Sequence, residues 1–141
     1  MDMTKALTIA AMLLSGSLAA DAANAPPGVD AARKTFALAV HARDLKRIVA
    51  LSDFPVAVDV YGAAPKITAR QFLADIRQFD DLFGPPDAGI IRCIGSEALQ
   101  LQDDMKSFGH GYWFVDCNGN AYFFAWRAGK WLFVGYQNVN E

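Results

Sequence analysis

The carboxy-terminal third of the chain alternates aromatic strands with short turns, and this pattern constrains the fold more than any other. Asn118-Gly119 is a preferred two-residue hairpin turn, and Ala128-Gly129 can form a second one. The aromatic segments 111–117, 121–127 and 130–138 flank these two turns. Since strands joined by two-residue turns are antiparallel neighbours, the sequence predicts an antiparallel meander.

The two predicted turns also determine which side chains share a face, because residues opposite each other point the same way. One face collects Trp113, Val115, Tyr122, Phe124, Trp126, Trp131 and Phe133. The other collects Tyr112, Phe114, Asp116, Phe123, Ala125, Leu132, Val134 and Tyr136. Neither face is polar, so we expect helices to cover one face and a subunit partner or a ligand cavity to lie against the other.

These aromatic faces predict a homodimer or a ligand site. We expect Trp113, Trp126 and Trp131 to mark a subunit or protein interface if their rings are flat and exposed. The same rings would mark a ligand site if they line a concavity. On the opposite face, Phe114, Phe123 and Tyr136 are the candidate ligand contacts.

The amino-terminal half predicts helices and one strand. Asp30 can cap a first helix, and a second helix begins near Asp44. Together they form a bent or broken helix pair that ends before Pro55. An alternating β-branched segment over 55–61 then predicts a strand.

A capping box opens the helix with the strongest periodicity. Thr68 and Gln71 form the box, and Gly84-Pro85-Pro86 ends the helix. Its apolar positions are Phe72, Ile76, Phe79 and Phe83. The following segment, 87–108, fits either a short helix or a strand.

The first residues of the chain have the layout of a secretory signal peptide. Lys5 precedes an apolar run over 6–20, and the small residues Ala20 and Ala22 favour cleavage after Ala22. A membrane anchor would need about 20 continuous apolar residues, more than this run contains. We therefore expect a periplasmic or secreted protein that is not attached to a membrane once the signal is removed.

The predicted organisation is a signal peptide over 1–22, a flexible lead over 23–29 and a single domain over 30–141. The formal net charge of −2 at pH 7 gives no field that would attract nucleic acid, so nucleic acid is not an expected partner.

The two cysteines, Cys93 and Cys117, leave two possibilities open. Exported compartments oxidise accessible thiol pairs, which favours a disulfide. Free cysteines also pack as small apolar side chains, and a bridge needs Cα atoms within about 7 Å. The sequence does not give that distance.

Several segments share their order and hydrophobic pattern with a known superfamily. They are Phe54-Pro55-Val56, Ile67-Thr68-Ala69-Arg70-Gln71-Phe72-Leu73, Phe79-Asp80-Asp81-Leu82-Phe83, Gly111-Tyr112-Trp113-Phe114 and Lys130-Trp131-Leu132-Phe133-Val134. In these segments the chain resembles the nuclear-transport-factor-2-like superfamily. The resemblance implies an α+β cone, in which a curved antiparallel sheet of four to six strands wraps around amino-terminal helices and one long helix, often in a dimer. It leaves activity open, since the superfamily includes ketosteroid isomerases, polyketide cyclases, dehydratases and non-catalytic binding domains.

Resemblance to the catalytic members of this superfamily implies a carboxylate that moves a proton and a tyrosine or second acid that stabilises an oxyanion. Here the candidate carboxylates are Asp116 and Asp59, and the candidate phenols are Tyr112 and Tyr61, with Tyr136 as a third. The alternative is structural. Asp116 would then cap its hairpin, Asp59 would point outward, and the tyrosines would pack in the core.

No cofactor or metal is predicted. His41 and His110 lie far apart without a nearby cysteine cluster, and no helix follows Gly109-His110-Gly111 to make a phosphate loop. We therefore expect an exported domain that binds a small apolar ligand or a partner protein. A cofactor-independent isomerase, dehydratase or cyclase is the alternative, and an inhibitor or immunity-type protein is the third possibility.

Overall fold

The computed structural model describes residues 25–58, 66–84, 89–105 and 109–138. The helices in these ranges are α1 (Pro27–His41), α2 (Leu45–Ala50), α3 (Ala69–Ala74), α4 (Ile76–Phe83) and α5 (Gly89–Ser96). The strands are β1 (Ser52–Ala57), β2 (Gln100–Met105), β3 (Gly109–Cys117), β4 (Asn120–Arg127) and β5 (Lys130–Asn138). None of the described helices is long and apolar enough to span a bilayer. The predicted signal peptide lies outside the described residues and stays a prediction.

The strands form one open sheet in the order β1-β5-β4-β3-β2. The predicted α+β class is confirmed, and the strand number lies within the predicted range. The prediction of a wholly antiparallel sheet was wrong, because β1 runs parallel to β5 while the other pairs are antiparallel. The connection from β1 to its parallel neighbour β5 is long and contains three of the described helices and strands β2 to β4.

Both predicted hairpin turns are present. Asn118 and Gly119 have φ values of 56° and 90°, and Ala128 and Gly129 have φ values of 50° and 83°. Turns with two residues in the left-handed region match the twist of the strands they join. Alanine is the unusual residue among these four, since its Cβ disfavours that region.

We expect Ala128→Asn to stabilise the protein by about 0.5–1 kcal/mol, because asparagine tolerates a positive φ better than alanine. Denaturant unfolding measures the change. The same substitution at exposed Ala42, where φ is −75°, is the control and should give no gain. Equal effects at the two sites would contradict the prediction.

A β-bulge changes the predicted faces of β5. Trp113 pairs with Phe124, and Trp126 pairs with Trp131, as predicted. Beyond Phe124 the register shifts by one residue, so that Tyr136 lies opposite Tyr122. Tyr136 was therefore predicted on the wrong face, because one inserted residue reverses the side-chain alternation.

The predicted long helix is two helices. The capping box of Thr68 and Gln71 is present and begins α3. Asp75, with φ −139° and ψ 111°, interrupts the helical backbone, and its carboxylate caps α4 by accepting from the Arg77 backbone N–H. The longest described helix is instead α1, with 15 residues. Its N-cap is Pro26 rather than the predicted Asp30.

Aromatic rings fill the space between the described helices and the sheet. Phe36 of α1 lies 5.8 Å from Phe83, 5.5 Å from Phe124 and 4.7 Å from Phe133, measured between ring centroids. The buried Tyr122 phenol donates a hydrogen bond to the Leu82 carbonyl. Burial raises the pKa of Tyr122, so this phenol stays a neutral donor. In the part of the chain that the structure describes, this region is packed core.

The opposite face of the sheet carries a second apolar cluster. Its buried members are Ala57, Tyr112, Ala121, Phe123, Ala125 and Val134. The Arg127 guanidinium donates a 2.7 Å hydrogen bond to the Tyr112 hydroxyl and lies 5.5 Å from the centre of its ring. Both faces of the sheet are thus apolar, as the sequence predicts.

Candidate functional site

The first candidate carboxylate, Asp116, closes a turn. It lies near the end of β3 with an exposed side chain, and its Oδ1 accepts a 2.9 Å hydrogen bond from the Gly119 backbone N–H. Tyr112 lies four residues earlier on the same strand, which corresponds to roughly 13 Å. Strand geometry therefore separates this predicted carboxylate–phenol pair beyond hydrogen-bonding distance. The second predicted pair, Asp59 and Tyr61, lies outside the described residues.

The predicted ligand contacts fall on opposite faces of the sheet. Phe114 stacks on Phe123, with ring centroids 5.2 Å apart, and both belong to the second apolar cluster. Tyr136 packs instead against the helix-covered core, and its hydroxyl donates a 2.6 Å hydrogen bond to Oδ1 of Asn120. These three side chains therefore do not form a common site.

Cys93 and Cys117 form a disulfide, with a Cα–Cα distance of 5.8 Å. The bond joins α5 to the end of β3 and resolves the alternatives that the sequence leaves open. A groove of about 440 Å³ lies beside it, and Glu97 and Asp116 contribute carboxylates to its lining.

The three predicted interface tryptophans have different environments. Trp113 is 6% exposed and lies in the core beneath the helices. Trp126 is 56% exposed, and its ring meets the Trp131 ring edge to face at a centroid distance of 5.6 Å. Trp126 and Trp131 line a concavity of about 430 Å³, which we call the tryptophan cleft. This concavity is open to solvent, and Trp113 is not among its lining residues.

Small residues on α1 and α2 line part of the tryptophan cleft. They are Gly28, Ala31, Ala32 and Ala50. A Cβ added to Gly28 would lie 3.0 Å from Cδ1 of Trp131, so the absence of a side chain there allows the indole ring to approach the helix. Lys130 contributes the positive charge among the described lining residues.

Sequence reasoning found the tryptophans of the cleft but missed the small residues that line it. Gly28, Ala31, Ala32 and Thr35 recur at helical spacing along α1, so their pattern could have indicated a face without large side chains. Which strands this face meets depends on the pairing of β4 with β5 and on the packing of α1, which the spacing does not reveal.

Comparison of the chain with protein-family models, curated proteins and solved structures found no match in any of the three. The resemblance to the nuclear-transport-factor-2-like superfamily therefore stays a prediction.

Proposed function

We propose that the protein is an exported binding domain and that the tryptophan cleft holds a small apolar ligand. The observation that carries this proposal is the exposed Trp126 ring, set at 70° to Trp131 in a concavity that small residues of α1 and α2 also line. Tryptophan combines a large apolar surface with few rotatable bonds, which makes it effective in binding sites. The disulfide between Cys93 and Cys117 agrees with export, since oxidising compartments maintain such bonds.

The aromatic and small apolar lining of the cleft favours a ligand with an apolar or aromatic surface. A planar ring can stack on one indole and meet the edge of the other, which is the preferred geometry of aromatic pairs. Covering the exposed part of Trp126, roughly 100 Å², would contribute about 2.5 kcal/mol. The volume lies within the usual range of small-molecule sites, about 300–1,000 Å³.

The positions of the described acidic and phenolic side chains favour binding over proton-transfer catalysis. The described lining of the tryptophan cleft contains no carboxylate or phenol. Asp116, the leading candidate acid, lies elsewhere and closes its turn. A general acid or base must reach the substrate proton within hydrogen-bonding distance, and Lys130 is the one ionisable side chain in the described lining of this cleft.

We expect Trp126→Ala to weaken the binding of indole, a neutral aromatic probe, at least tenfold. Such a loss corresponds to about 1.4 kcal/mol, within the range expected for a tryptophan contact. Titration followed by the ¹H–¹⁵N NMR signals of the indole N–H groups measures both affinity and location. The Trp131 signal should move in the wild-type protein as indole enters the cleft.

Leu73→Ala is the matched control, because Leu73 is also an exposed large apolar residue, at 44%, but lies on α3 outside the cleft lining. Unchanged indole binding in Trp126→Ala would overturn the proposal.

Light scattering of the wild-type protein and of a Trp126→Glu variant tests the predicted homodimer. A wild-type dimer that a Trp126→Glu substitution dissociates would indicate that a second subunit, rather than a small molecule, covers Trp126.

A further inference from the structure

A second groove lies along the contact between α1 and α5, on the helical side of the molecule. We call it the α1–α5 groove; it measures about 320 Å³ and is lined by Lys34, Ala37, Leu38, His41, Ile91, Arg92 and Gly95. Leu38 is 71% exposed, the largest value among the exposed large apolar side chains of the described residues. The groove thus combines apolar walls with basic groups.

The two walls of the α1–α5 groove are held together by a buried arginine. Arg33 of α1 is 7% exposed and donates hydrogen bonds to the backbone carbonyls of Ile94 and Glu97 at the end of α5. Close packing of the helices adds to this link, since a Cβ on Gly95 would lie 3.3 Å from the Cβ of Ala37. The groove is therefore formed before any ligand arrives, which lowers the entropic cost of binding.

These contacts also give the direction of the two helices. Arg33 meets Glu97, and Ala37, one turn later on α1, meets Gly95, which lies earlier on α5. The helices are therefore antiparallel, and His41 lies at the same end of the groove as Arg92. Lys34 lies toward the opposite end.

The charges at the two ends differ. Lys34 pairs with Asp30 at 2.9 Å, and hydrogen bonds from Lys34 and Arg33 hold the pKa of Asp30 below its ordinary value. At the other end, Arg92 has no ion-pair partner among the described residues, and no described acidic residue lines the groove. An anionic group is therefore best placed beside Arg92 and His41.

We propose that the α1–α5 groove binds a long-chain carboxylate, with its alkyl tail over Leu38 and its carboxylate beside Arg92 and His41. The planar guanidinium can donate two parallel hydrogen bonds to a carboxylate, and the imidazole can donate an N–H. The alkyl tail covers the exposed side chain of Leu38, which removes its apolar surface from water. This site is separate from the tryptophan cleft and does not depend on the function proposed for it.

Calorimetric titration of the purified protein with dodecanoate tests the proposal. We expect Arg92→Glu and Leu38→Ser each to weaken dodecanoate binding at least tenfold. The matched controls are Lys46→Glu, an exposed charge reversal on α2, and Leu73→Ser, an exposed apolar change on α3, and both should bind like the wild type. Circular dichroism checks that each variant is folded.

Two further measurements distinguish the proposed carboxylate site from a surface that holds only the alkyl tail and from binding in the tryptophan cleft. Dodecanol, which has the same tail without the charge, should bind at least tenfold more weakly than dodecanoate. Trp126→Ala should leave dodecanoate binding unchanged. The proposal is overturned if dodecanoate does not bind, if it binds equally to Arg92→Glu and Leu38→Ser, if dodecanol binds as well, or if only Trp126→Ala abolishes binding.

Discussion

Replacing both Cys93 and Cys117 by serine should lower the free energy of unfolding by about 3 kcal/mol. The bond closes a loop with a sequence separation of 24 residues, and cross-linking a loop of this size restricts the unfolded chain by about that amount. It also joins α5 to β3, so its loss loosens the attachment of that helix to the sheet. A change of this size is a large fraction of the stability of a small domain.

Equilibrium unfolding in guanidinium chloride, with and without reductant, measures this effect. The reductant should destabilise the wild-type protein and leave the double variant unchanged, which separates loss of the bond from any general effect of the reagent. Equal stability of the wild-type protein and the double variant under oxidising conditions would contradict the prediction.

Phe36→Ala should destabilise the protein by about 3–5 kcal/mol, the usual cost of removing a fully buried phenylalanine. Phe36 is 0% exposed and contacts the rings of Phe83, Phe124 and Phe133, which belong to two strands and one helix. The substitution therefore leaves a cavity where the helices meet the sheet and also removes favourable edge-to-face and stacked ring contacts.

Leu38→Ala is the control for Phe36→Ala. It lies two residues away on the same helix, is 71% exposed, and should change stability by no more than about 0.5 kcal/mol. Thermal and denaturant unfolding of the two variants compare a buried position with an exposed one on the same helix, and both variants introduce alanine. Similar losses in the two variants would show that the aromatic cluster is not the centre of the core.

The parts of the fold that follow local rules could be predicted from the sequence. Asn118-Gly119 and Ala128-Gly129 set the two hairpins because these turns require residues at positive φ. The capping box of Thr68 and Gln71 was recognisable because its hydrogen bonds join residues three apart.

Features that depend on distant contacts could not be predicted in the same way. The interruption at Asp75 falls within a continuous apolar periodicity, and the bulge that moves Tyr136 leaves no mark on the alternation of β5. Pairing of Cys93 with Cys117 depends on how α5 packs on the sheet, and the sequence around each cysteine does not reveal that packing.

The candidate sites also could be predicted only where they follow from local sequence patterns. The exposed tryptophans could be identified as candidates from the face assignment, but Trp113 belongs to the core because α5 and α1 cover its face. The α1–α5 groove was not predicted at all. Its apolar and basic residues lie on two helices whose antiparallel contact is established by Arg33 and Gly95.

The parallel pairing of β1 with β5 has a consequence for the order in which the chain can fold during synthesis. β1 ends at Ala57, whereas its partner begins at Lys130, so the sheet edge at β1 needs contacts between the two halves of the chain. Such non-local pairing slows folding and keeps apolar surface accessible until it forms. During synthesis on a ribosome, Phe36 emerges well before Phe133, the residue on whose ring it stacks. The core contacts that Phe36 makes with Phe133 therefore form only after β5 has been synthesised.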